Sequence, residues 1–179
     1  MSGWAEERQI LEAWFAGQWA TQPLPWNALT VPVIWEGQVT DPPAAGGPYI
    51  EMFVMDSPEG TQITLGTPAL NRYVAMIQFT ISCPIGESAG PNQMARQIAD
   101  VLDGLWKGRR FQTTHGRIRC RVPGLHTIGN VDERWVAVMT VPYVRDEIAA
   151  IPPPVLLPSG RPSGAGLATG AGTLTAVAS

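Results

Sequence analysis

Cysteine and histidine are scarce in this chain of 179 residues, two of each. Cys83 and Cys120 stand singly inside apolar, strand-like runs, so they make neither a disulfide framework nor a metal-ligand spacing, and buried free thiols are expected. His115 and His126 fall in or beside predicted turns, with no HExxH pattern and no cysteine at ligand spacing. A GxSxG nucleophile turn, a P-loop and a GxGxxG fingerprint are all missing; "GAGLATG" is Gly-rich but follows no strand. Asp100 and Asp103 share the solvated side of a predicted helix, and Asp132 and Glu133 sit in a turn. The expectation is a protein that is not an enzyme, with no catalytic, cofactor-binding or metal residues.

Long apolar runs are also missing. No stretch reaches the roughly 18 residues that a membrane-spanning helix needs, so no membrane partner is expected. The N-terminus carries early acids rather than a basic region before an apolar stretch, which does not suit a signal peptide. Synthesis and retention in the cytoplasm follow, unless an assembly carries the protein elsewhere.

What the chain does have is a charge asymmetry. Its net charge is −3, yet residues 1–106 sum to −8, residues 107–121 to +6 and residues 122–179 to −1. The basic strip, "KGRRFQTTHGRIRCR", holds Lys107, Arg109, Arg110, Arg117, Arg119 and Arg121 and no acid. Such polarity suits contact between copies, or with a partner of opposite charge. Phosphate binding is the competing use, although the strip offers only Phe111 as a stacking aromatic.

Periodicity predicts the elements. A helix is expected over residues 3–19, with Trp4, Leu11, Trp14, Phe15 and Trp19 on or near one stripe and Glu6, Glu7, Arg8, Gln9 and Glu12 on the polar side. Prolines in "TQPLPW" end it. A loop follows, with a short strand near residues 33–35 and a flexible tip at "TDPPAAGGP". "YIEMFVMDS" and "TQITLG" read as a hairpin through "SPEG". "RYVAMIQFTISC" is apolar enough on both faces to be a central strand, closed by Pro84. In "GPNQMARQIADVLDGLWKG", Pro91 opens a helix and Gly108 ends it, while Met94, Ile98, Val101, Leu102, Leu105 and Trp106 form one buried stripe.

Within the strip, Lys107, Arg109 and Arg110 read as a helix-end cluster suited to the helix dipole. Arg117, Arg119 and Arg121 alternate with Ile118, Cys120 and Val122, the period of a half-buried strand. A final strand, "RWVAVMTVPYV", is reached through a turn at "GNVDE". The fold class expected is α+β: a mostly antiparallel sheet of about four to six strands with two main helices packed on one side, spanning residues 1–148. Residues 149–179 contain one charged residue and no aromatic one. Alone they bury too little apolar surface to offset ordering, so an extended C-terminal arm is expected, with "TLTAVA" suited to add as a strand to a neighbour's sheet edge.

The arrangement resembles a known family. An amphipathic helix followed by "PLPWNALTVP", a strand "YIEMFVM", a long strand "YVAMIQFTISCPIGESAG" and a helix "QMARQIADVLDGLWKGRRF" is similar to the tail-terminator, or tail-completion, proteins of long-tailed bacteriophages. The stretch 74–111 carries most of the likeness, which covers about residues 3–146. The resemblance implies a structural virion protein at the head-proximal end of the tail, assembled in the host cytoplasm. Such a protein forms a ring, usually a hexamer, that caps the tail tube, stops addition of the major tail tube protein and meets a head-side neck or connector protein. The six basic residues would then face either a neighbouring subunit or the lumen, where they would touch DNA non-specifically. A neck or head-completion protein at the same joint, or a small cytoplasmic DNA-binding protein, are the alternatives.

Overall fold

The computed structural model describes residues 3–22, 31–37, 46–56, 59–64, 69–86 and 90–148. The expected arm over residues 149–179 and most of the "TDPPAAGGP" tip lie outside them.

Helix α1 (Gly3–Trp19) buries Leu11, Phe15 and Trp19, and with them Glu7. Glu7 was expected on the polar side. Positions 7, 11, 15 and 19 recur at four-residue spacing and so share one stripe, and the side chain finds a buried cation there. Helix α2 (Pro91–Trp106) buries Met94, Ala95, Ile98, Ala99, Leu102, Leu105 and Trp106, the expected stripe with two alanines added and Val101 half-buried at its margin. Gly108 follows at φ 67°, a left-handed conformation that favours glycine.

Eight strands build one sheet: β1 (Val33–Trp35), β2 (Tyr49–Met55), β3 (Gly60–Gln62), β4 (Leu70–Pro84), β5 (Arg110–Thr113), β6 (Gly116–Cys120), β7 (Gly124–Val131) and β8 (Arg134–Ile148). The order is β1-β2-β4-β8-β6-β5, with β3 paired to β4 and β7 to β8. Only β1 with β2 is parallel. The spine is the β4–β8 pair, in unbroken register from Leu70↔Ile148 to Pro84↔Arg134. The α+β class and the two helices on one side agree with the sequence; the strand number exceeds the four to six expected.

The difference comes from short elements. The expected β2–β3 hairpin does not form. β2 pairs with β4 from Met76 to Ser82, and β3 takes the same edge of β4 from Asn71 to Tyr73, because the fifteen-residue β4 outruns its seven-residue neighbour. Arg110 begins β5 instead of ending the helix. "GNV" belongs to β7, whose eight residues are almost all exposed, and the turn into β8 is only Asp132 and Glu133, at φ 46° and 63°. Two adjacent positive φ values are the hallmark of a type I′ hairpin turn.

Both helices cover the same sheet face. Beneath them lie Ile50, Met52 and Val54 of β2, Ala75, Ile77, Phe79, Ile81 and Cys83 of β4, and Ala137, Met139, Val141 and Tyr143 of β8. Trp106 lies at the centre of an aromatic cluster with Trp14, Phe15, Phe79 and Phe111. Burial pushes the Cys83 and Cys120 thiols up to about 12, since a thiolate has no solvation there. Neither thiol should react with a soluble disulfide reagent at mildly alkaline pH while the chain is folded, and both should react in denaturant; titration of released thiol tests this.

The start of α1 meets the end of the sheet. Arg145 of β8 pairs with Glu7 (Nη1 to Oε2, 2.6 Å) and lies between the rings of Trp4 and Tyr73, 4.0 and 4.3 Å from their centroids. Gly3 abuts the same guanidinium and the Glu147 carboxylate. Nearby, the Thr114 N–H and hydroxyl both donate to Glu6, holding its carboxyl below the usual range.

Candidate functional site: the uncovered face of the sheet

Because both helices pack on one face, the other is bare among the described residues. Alternation places Phe53 and Met55, Val74, Met76, Gln78 and Thr80, and Val138, Thr140, Pro142 and Val144 on it. Val74 is 55% exposed and Met76 40%. This explains why β4 and β8 look apolar on both faces: one set of side chains fills the core and the other lines this second face, where Val74 and Met76 are exposed, the β8 residues on it from Val136 to Pro142 are half-buried and Val144 is buried.

The basic strip ends on this face only in part. Lys107 caps α2 beside Asp103, 3.7 Å away. Arg109 donates to the Leu105 carbonyl and stacks over Trp14, 5.0 Å from the ring centre, so it belongs to the helix side. Arg117 lies 3.6 Å from Asp146, which Arg72 already holds at 2.6 and 3.0 Å. Arg110, Arg119 and Arg121 have no acidic partner among the described residues. Arg110 lies directly opposite Arg119, and like charges in cross-strand register repel. Val122, expected to face inward, is 64% exposed, because β6 stops at Cys120 and the chain turns out of the sheet towards Pro123.

Register sets these residues in rows. Arg72, Asp146, Arg117 and Gln112 form one; Val74, Val144, Arg119 and Arg110 the next; Arg121 follows, its N–H donating to the Pro142 carbonyl beside Met76. Gly116 lets β6 approach β8 closely, since a Cβ there would strike the Asp146 carbonyl. Arg72 holds the Asp146 carboxyl below its ordinary range, with Arg117 adding to the effect. A folded pKa below the unfolded one gives stability that is present above the ordinary aspartate value and lost as pH falls through the lowered one. Glu7 runs the other way: burial raises it, so its contribution is present below the ordinary glutamate value and lost as pH rises through the folded one. Asp146→Asn should therefore remove part of the wild type's loss of stability on the acid side, read from denaturant melts across the carboxylate range.

Sequence reasoning missed Arg134, whose guanidinium donates to Ser82 and the Gly47 carbonyl and stacks over Tyr49 at the far end of the same face. It also missed Arg72 and Asp146. Their only signal was alternation with apolar neighbours in long strands. His115 lies in the β5–β6 turn and His126 on exposed β7. Among the described residues no three histidine, cysteine or acidic side chains cluster in a way that could hold a metal ion, and no described helix is long and apolar enough to cross a membrane.

Comparison with known proteins adds a fold and nothing more. No family model matches the chain, and no curated protein does. A solved protein that carries no functional name is similar, with a TM-score of 0.59 and 20% identity over 86% of this chain and 99% of that one. At that identity the likeness speaks for architecture alone.

Proposed function

We propose that this chain is a structural subunit of a phage tail: a tail terminator that forms a ring, caps the tail tube and joins it to the head-side neck. The observation that carries the reading is the bare sheet face, which exposed Val74 and Met76 share with three arginines that have no acidic partner among the described residues. A surface of apolar residues beside arginine is the anatomy of a protein contact. The resemblance of residues 74–111 supplies the kind of assembly, and the polarity of charge along the chain supplies complementary surfaces.

The protein should run as a multimer by light scattering, and electron microscopy should show rings on the ends of purified tail tubes whose further growth is blocked. A monomer that binds duplex DNA with steep salt dependence and never caps tubes would overturn the reading in favour of a small DNA-binding protein. Capping of connector complexes instead of tubes would assign the chain to the head side of the joint.

A further inference from the structure

The two ends of the sheet carry opposite charge, and each offers what the other lacks. At the β5–β6 end, Arg110, Arg119 and Arg121 share the bare face with no acidic partner among the described residues, and Arg110 and Arg119 repel in register. At the β1 end, on the helix side, lies an open hollow of about 340 Å³ lined by Glu12, Ala13, Ala16, Trp35 and Glu36. Arg8 draws its two carboxylates together, at 2.8 Å to Glu12 and 2.9 Å to Glu36. One guanidinium between two carboxylates leaves the rim negative. Ala13 and Ala16 make the recess, since larger side chains at those positions of α1 would fill it. A cation entering there would meet carboxylate oxygens and the indole of Trp35, a combination that suits arginine.

The neighbours of the arginines decide what kind of anion they face. Arg119 shares a row with exposed Val74, across the buried Val144, and Arg121 lies beside Pro142, which adjoins exposed Met76. A phosphodiester backbone offers nothing to exposed valine and methionine, whereas a protein surface with Trp35 and two alanines does.

We propose that the Arg119 and Arg121 patch of one copy docks in the Glu12, Trp35 and Glu36 hollow of a second copy. The patches lie at opposite edges of the sheet and on opposite faces, so copies overlap like shingles, head to tail. Such a heterologous contact closes into a ring when the rotation between copies permits. This docking rests on the ring reading above for its closure.

Charge reversal tests it. One variant carries Arg119→Glu with Arg121→Glu, the other Glu12→Lys with Glu36→Lys; each should lose the ring, both in light scattering and on tube ends, while circular dichroism shows a folded chain. Each variant alone has two patches of like charge. Mixed in equal amounts, the two should recover the ring with the variants alternating around it. Arg119→Ser with Arg121→Ser, a milder change, should weaken the ring and keeps the test valid if the glutamate variant does not fold. Rings that form from either reversed variant as from wild type, or folded variants that fail to recover on mixing, would overturn the docking and leave the ring reading in place. Loss of binding to a duplex oligonucleotide by the glutamate variant, with ring mass unchanged, would reassign the face to phosphodiester and overturn it too. A wild-type chain that forms no ring, alone or on tubes, would instead overturn the ring reading, and the docking with it.

Discussion

Glu7→Ala should lower the unfolding free energy by about 3–5 kcal/mol, the range for removing one partner of a buried ion pair. The Glu7 and Arg145 side chains are 1% and 3% exposed, so alanine leaves a guanidinium in the interior without its nearest carboxylate. The loss should fall towards the lower end, because Glu147 remains 3.4 Å away and the Trp4 and Tyr73 rings still hold the cation. Glu7→Gln should cost less, since an amide oxygen still accepts from Arg145. Glu7→Leu combined with Arg145→Met should recover much of the loss, because a pair replaced by apolar side chains leaves no buried charge. Urea melts with unchanged slope and a shifted midpoint would establish the effect; a double variant no better than Glu7→Ala would show that Arg145 matters through packing and not through charge.

Trp106→Ala should destabilise by a similar amount, about 3–5 kcal/mol. Its ring is fully buried and touches Trp14, Phe15, Phe79 and Phe111 at centroid distances of 4.7 to 6.2 Å. Its removal opens a cavity between α1, α2 and the sheet that these rigid rings are ill suited to fill. The indole N–H has no hydrogen-bond partner among the described residues, and an unpaired buried donor carries a desolvation cost. Trp106→Phe should therefore cost much less than its lost volume suggests. Thermal melts of the two variants side by side measure the ratio, and near-equal losses would mean that the N–H is satisfied by bound water.

How much of this was legible depended on whether the partner lay nearby in sequence. α2 was legible because Pro91, Gly108 and a 3.6-residue stripe all act within one segment. β4 and β8 announced themselves as long β-branched runs. β7 gave no such signal: "GLHTIGNV" contains two glycines and keeps its side chains in solvent, so neither period nor burial marks it. Its strand character comes from pairing with β8. The burial of Glu7 was hidden for a related reason, since its cation lies 138 positions away and a charged residue four positions before Leu11 looks like the edge of a polar face. The basic strip was visible as composition, but its division was not. That Arg109 turns to Trp14, Arg117 shares Asp146 with Arg72, and Arg110, Arg119 and Arg121 have no acidic partner among the described residues follows from the tertiary fold.

The meeting of Gly3 with Arg145 and Glu147 places the first described residue of α1 one residue from the end of β8. The described body is thus nearly a closed loop of chain. In a chain cut to residues 3–148, a short peptide joining Ile148 to Gly3, with new ends opened at the exposed Asp132–Glu133 turn, should yield a circular permutant with the same sheet, since exposed turns tolerate such cuts. Labels attached at Gly3 and at Ile148 would crowd one corner, beside Arg72 and Arg117, whereas the turn between β7 and β8 offers a place away from it.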